Sequence, residues 1–135
     1  LPVTIRAGGA IVLNVERDEE PVDQNCAFCK IATKLEYAKI RYEDDEIIAF
    51  DNRLQWAPVM LLVIPKQHMT QEDLWKDIGK VSLVATNLGH EFCPNGFRML
   101  SNFGGDAMQS QPHGHIHVVG GAPLGPYVAR WSPFF

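Results

Sequence analysis

The chain has 135 residues, enough for one domain with a real hydrophobic core, and an ordinary globular mixture, 46% hydrophobic and 21% charged. Its formal net charge of −4 argues against a nucleic-acid partner held by a broad basic surface, but leaves room for a small anionic ligand held by a few local donors. No apolar run approaches the length of a membrane span, and residues 1–9 lack the charged-then-apolar order of a secretory signal, so a cytoplasmic protein with no membrane partner is expected.

Residues 1–25 read as an N-terminal arm, with a short strand available at 10–14 and a charged break at 16–21. Residues 26–135 then form the domain and its extended C-terminal tail. Cys26 and Cys29 make a Cys-x-x-Cys, and Cys93 stands alone. Without secretory signals a disulfide framework is not expected, so the pair is a metal half-site or a redox pair. A metal needs two further ligands, and His68 and His113 lie downstream. A thioredoxin-type role would call for βαβ units after the motif, and that pattern is missing. Cys93, near a helix end, reads as an inert small hydrophobe.

Residues 35–42 and 46–51 read as strands joined by a turn at Glu43-Asp44-Asp45, an antiparallel hairpin. The continuous apolar run at 59–65 reads as a central strand buried on both faces, with Pro65 stopping it and His68 at its exit. Thr70, with Asp73 three residues on, can cap a helix. Leu74, Ile78, Val81, Ala85, Leu88 and Phe92 recur in steps of four and three, which predicts one long amphipathic helix over 71–92. Trp75 and Leu83-Val84 widen its stripe and would meet a second subunit. After the stop at Cys93-Pro94-Asn95-Gly96, residues 97–101 read as a strand and 102–107 as a loop. The tail from Pro123 is too rich in proline for regular structure. Its aromatics, Trp131 included, are expected to pack on the body or on a partner. The pattern is α+β: an antiparallel sheet, one long helix and a short helix near Cys29.

The most informative stretch is 109–121, where three of the five histidines fall at every second position. A strand sends alternate side chains to one face, so His113, His115 and His117 project together, and Ile116 and Val118 face the other way. A helix would not align i with i+2, and Pro112 and Gly114 disfavour its interior. One metal cannot take all three. On a strand the outer pair lies about 13 Å apart, against Zn–N bonds of about 2 Å, so the histidines divide their work.

His113-x-His115-x-His117-Val118-Val119, preceded by Gln109-Ser110, resembles the signature of the histidine-triad family of nucleotide hydrolases and transferases. Cys26-x-Phe28-Cys29-Lys30-Ile31, Tyr42-Glu43-Asp44-Asp45 with Ala49-Phe50, and Leu62-Val63-Ile64-Pro65-Lys66 with His68 fit in order and spacing. The resemblance covers 25–121. It implies a histidine-triad-like α+β fold and cleavage at the α-phosphate of a purine nucleotide. The leaving group would be a phosphoramidate, anhydride or ester. His115 would be the nucleophile that forms a nucleotidyl-imidazole, His117 its orienting and phosphate-side neighbour, and Ser110 and Gln109 donors at the scissile bond. It places Asn102, Asn52, Phe28, Ile31 and Phe50 around the nucleotide, with Ile48 as either base contact or plain core. Cys26, Cys29, His68 and His113 would hold a structural zinc, and the family habit of forming homodimers suits the long helix and the tail.

Three positions depart from the family pattern. Gly114 stands at a position usually apolar, where it lets the strand bend. Asn52 stands where many members carry an Asp that holds the ribose hydroxyls, and offers an uncharged acceptor instead. Met60 replaces a frequent histidine. Asn52 and Gly114 favour a second reading, a zinc-stabilised nucleotide-binding regulatory module with little or no turnover, whereas His115 and Ser110 favour the enzyme.

Overall fold

A computed structural model describes residues 25–126. The N-terminal arm, where a short strand was expected at 10–14, and the tail from 127 with Trp131 lie outside the described residues. In chain order the elements are α1 (Ala27–Ala32), β1 (Ile40–Glu43), β2 (Ile47–Asp51), β3 (Val59–Pro65), α2 (Gln71–Lys76), α3 (Gly79–Phe92), β4 (Phe97–Leu100) and β5 (Ile116–Gly120). A short 3-10 turn covers Gly105–Ala107. The strands form one antiparallel sheet in the order β1-β2-β3-β5-β4, an α+β architecture.

Alternation along the two inner strands builds two apolar layers. Ile47, Ala49, Leu61 and Val63 point to one face, where Leu74, Val81, Ala85 and Leu88 of α2 and α3 cover them. Ile48, Phe50, Leu62 and Ile64 point to the other, where Phe28 and Ile31 of α1 close over them. β3 is therefore buried on both faces, as its unbroken apolar run requires, and it sits at the sheet's centre. The β1–β2 hairpin forms as expected: Asp44 Oδ1 accepts from the Glu46 and Ile47 N–H groups at 2.8 Å, which pins the turn. Cys93 is buried and in no disulfide, in keeping with a small core residue.

The structure corrects three expected boundaries. The long helix over 71–92 is two helices. Thr70 caps the first as read, accepting from Asp73 N–H, but Asp77 leaves helical geometry (φ −139°, ψ 55°) and α3 restarts at Gly79. The apolar stripe survives because both helices lie on the same sheet face. The strand expected at 35–42 begins only at Ile40. The preceding residues finish α1: Lys34 adopts a left-handed conformation (φ 67°), and the Lys30 carbonyl accepts from both Leu35 and Glu36 N–H groups. The histidine strand begins only at Ile116. Ahead of it, the Gly114 N–H donates to the Met69 carbonyl at 2.7 Å, so 113–115 leaves the ladder and docks on the turn before α2.

That docking is close. A Cβ on residue 114 would lie 2.9 Å from the Thr70 carbonyl oxygen and 3.0 Å from Leu74 Cβ. Gly114→Ala is therefore expected to destabilise the fold by about 1–3 kcal/mol through forced backbone movement. Gly79→Ala, whose added Cβ meets nothing within 4 Å, should be neutral or stabilising by at most about 1 kcal/mol. Urea denaturation of the two variants side by side checks both signs.

Candidate metal centre and active-site cleft

Helix α1 presents its two cysteines one turn apart. Cys26 is the N-cap, its Sγ accepting from the Cys29 N–H. The loop after β3 brings His68 to them, and the bend before β5 brings His113. The four ligand atoms lie within 4.8 Å of one another. The Cys26 Sγ–His113 Nδ1, Cys29 Sγ–His113 Nδ1 and Cys29 Sγ–His68 Nδ1 separations are 3.4, 3.5 and 3.3 Å. A tetrahedral ion bonded to sulfur at about 2.3 Å and nitrogen at about 2.0 Å sets S and N about 3.5 Å apart, so the cluster has the size of a metal's ligand shell. His113 also has the right tautomer. Its Nε2 sits 2.7 Å from the Pro65 carbonyl, which can only accept, so Nε2 carries the hydrogen and the Nδ1 lone pair faces the thiols. Burial pushes His113 down to about 4, keeping it the neutral imidazole that ligation needs. These four residues could hold a metal ion.

His115 is held on three sides. Its N–H donates to Gln71 Oε1 at 2.9 Å, and its carbonyl accepts from Ser101 Oγ at 2.6 Å. Its ring Nδ1 lies 2.7 Å from the His113 carbonyl, so Nδ1–H donates there and the Nε2 lone pair is left available. Burial pushes its pKa below the ordinary histidine value, against the opposing effect of that hydrogen bond. His117, in β5 opposite Leu62, sits with its ring centre 4.9 Å from that of His115, and burial pushes it down to about 4. The alternation expected of the histidines holds on this face even though only His117 lies within the strand. Phe28 packs edge-on against both His113 and His115, so it touches both the four-ligand cluster and the cleft.

That cleft, about 480 Å³, runs from α1 across the sheet to the two histidines. Phe28, Ile31, Phe50, Asn52, Ser110, His115 and His117 all line it. Ile48 does not; it is core under α1. Nor do Gln109 and Asn102. Gln109 braces its own loop, accepting from the Gly104 N–H and donating to the Gln111 carbonyl. Asn102 offers its backbone carbonyl to Gln71 Nε2 at 3.2 Å. Gln71 thus ties the 102 loop to His115 with one buried amide, and sequence reading missed it. Its only mark is a polar residue at the first position of a helix, which predicts exposure. Ser101, read as strand, was missed for the same reason.

Comparison with known proteins agrees with this geometry. The family model described as the HIT domain matches residues 33–124. The protein HitA of Neisseria gonorrhoeae is 38% identical over 105 residues, which span 71% of this chain and 95% of that protein. A solved histidine triad protein from Clostridium difficile superposes with a TM-score of 0.72 at 32% identity, covering 78% of this chain and 97% of its own. A HIT family hydrolase from Clostridium thermocellum gives 0.71 at 31% identity, covering 78% and 98%.

Two outcomes follow from the site. The purified chain should carry one metal ion, and Cys26→Ser should lose the ion and thermal stability together, because binding at such a site is coupled to folding; metal analysis alongside a melting curve reads both. Gln71→Leu should leave the buried His115 N–H and the part-buried Asn102 carbonyl unpartnered. It should cost at least about 1–3 kcal/mol, the penalty of the one fully buried group, as measured by chemical denaturation.

Proposed function

This chain belongs to the HIT domain family, and on that premise we propose that it is a nucleotide hydrolase or transferase working at the α-phosphate of a purine nucleotide. One observation carries the reading: in a cleft with an apolar wall, the His115 tautomer is locked with its Nε2 lone pair available. A neutral, oriented imidazole is a competent nucleophile near pH 7. Nε2 forms a bond to phosphorus as the bond to the leaving group breaks, and the leaving group takes the electron pair. Water then attacks the phosphorus, the P–N bond breaks, and the imidazole returns to its neutral form. In this reading His117 and Ser110 meet the phosphate oxygens, where developing charge needs fixed donors. Phe28, Ile31 and Phe50 form an apolar wall for the base, and Asn52 faces the sugar. Asn102 and Gln109 act through the loop they hold.

The ion at Cys26, Cys29, His68 and His113 is zinc in this reading. Two thiolates and two imidazoles make a closed tetrahedral set, so the metal has a structural part only. It fixes α1, and with it Phe28 and Ile31, over the sheet. Domain boundaries at 26–135 with an arm before them complete the proposal.

The test is a turnover panel of adenylyl and guanylyl phosphoramidates, dinucleoside polyphosphates and adenylyl sulfate. His115→Ala should abolish turnover and the covalent adduct while nucleotide still binds. Ser110→Ala should cost less, at most about 10²–10³ in rate. Quenching in alkali and mapping by mass spectrometry should place the adduct on His115; an adduct on His117 or Cys93 would sink the assignment. Binding without turnover across the whole panel would put the regulatory binding module in its place.

A homodimer is also proposed. Trp75 and Phe103 lie tilted against each other and exposed, and Leu83 projects from α3 at 62% exposure. Strand β4 closes one edge of the sheet with no further strand beyond it among the described residues. Light scattering at micromolar concentration should give twice the chain mass, and Leu83→Glu should shift it toward the monomer.

A further inference from the structure

Among the described residues the buried polar side chains are His113, His115 and Gln71, the last at 1% exposure. The histidines have parts in the metal cluster and the cleft. Gln71 belongs to neither the four-ligand set nor the cleft lining. Burying an amide is costly unless its two ends are paired, and here both ends go to one place. The β4–β5 register pairs Leu100 with His117, and carried two residues further it sets Asn102 opposite His115. The ladder stops short of that pair, since β4 ends at Leu100 and β5 begins at Ile116. The Gln71 amide lies between the two backbones instead. Its Nε2 donates to the Asn102 carbonyl at 3.2 Å, and its Oε1 accepts from the His115 N–H at 2.9 Å. It donates to one chain and accepts from the other, as a peptide group of an intervening strand would.

The His115 backbone is thus off the ladder and still held at both its polar groups. The N–H is on Gln71 and the carbonyl on Ser101 Oγ at 2.6 Å, so side chains replace the strand partners it lacks. The ring depends on that hold. Its Nδ1–H bond to the His113 carbonyl, at 2.7 Å, spans only two residues, and a rotation of the backbone between them would break its geometry. Asn102, at the other end of the amide, opens the loop that leads to Ser110. We infer that Gln71 is a positioning residue for the reaction at His115: it parts β4 from β5, holds the imidazole with Nε2 available, and sets the spacing between that atom and the loop carrying Ser110. This rests on the nucleotide reading of the cleft and adds to it the residue that holds the nucleophile.

Gln71→Leu in the full chain tests it, with metal content and a denaturation curve ensuring that folded protein is compared with folded protein. Gln71→Met, of the same length, takes its place should the leucine variant fail to fold. The first readout needs no substrate. Nitrogen–proton correlation spectra of the histidine rings, at mildly alkaline pH where they are neutral, should show His115 with its hydrogen on Nδ1 in the parent and exchanging between tautomers in the variant. The second is the turnover panel. The turnover number should fall about 10²-fold, the scale of a displacement of about 1 Å at the reacting atom, while adenosine 5′-monophosphate binds within about threefold of the parent. Gln71→Glu keeps an acceptor for the His115 N–H and loses the donor to Asn102. It should restore the tautomer and lose only about tenfold in rate, the scale of one hydrogen bond. An unchanged His115 ring, or a turnover number within about threefold of the parent, would overturn the inference and leave the nucleotide reading standing. Nucleotide binding lost in step with turnover would also overturn it, as the mark of a structural part only. Tautomer exchange in the variant of a protein that turns over nothing in the panel would keep Gln71 as the residue that holds the ring and remove the catalytic reading.

Discussion

The functional face of this protein depends on how closely residues 113–115 pass the turn at 69–71. The Gly114 N–H bonds the Met69 carbonyl, and the bare Cα lets the two backbones approach to a distance that a side chain would forbid. From that contact the histidines separate. His113 is turned toward Cys26, Cys29 and His68, while His115 is turned into the cleft with its backbone gripped by Gln71 and Ser101. A straight strand would have spaced the imidazoles evenly along the sheet. The bend gives two neighbouring residues different neighbours and so different chemistry.

The two sites are physically joined. Phe28 contacts both His113 and His115, and it sits on a helix of only six residues whose first turn carries both cysteines. So short a helix has little stability of its own and is held by what it packs on. An ion at the four ligands would fasten its N-terminus to β3 and to the bend before β5. Such an ion would thereby also set the position of the cleft's apolar wall. A chain of hydrogen bonds does comparable work for His115: Asn102 carbonyl to Gln71 amide to His115 N–H.

Electrostatics here is local. Several ion pairs decorate the hairpin, among them Lys34 and Lys66 on Glu43 and Lys80 on Glu46, all partly exposed and of small individual worth. Two of them lie beside the cleft, where Arg41 meets Asp51 with two hydrogen bonds and Arg53 pairs with Glu36. Burial keeps the triad imidazoles neutral, so they remain lone-pair donors rather than cations.

The sequence by itself determined the sheet's interior and the chemistry on offer. The unbroken run at 59–65 was best read as a strand buried on both faces, and the two-residue period set which of Ile47, Ile48, Ala49 and Phe50 meets which layer. Cys26, Cys29, His68 and His113 could be nominated as one set because few residue types bind metals and these stood in family-like order. Tertiary structure alone decided the rest. The break at Asp77 is invisible to a stripe that continues across it, and the late start of the histidine strand follows from a contact with Met69, far away in sequence. Gln71 and Ser101 carry no local mark because their partners lie 44 and 14 residues away. The available end of the Asn52 amide is settled by a loop N–H two residues on. Pattern tells which face a side chain takes; which atom is left over depends on the backbone groups that meet it in space.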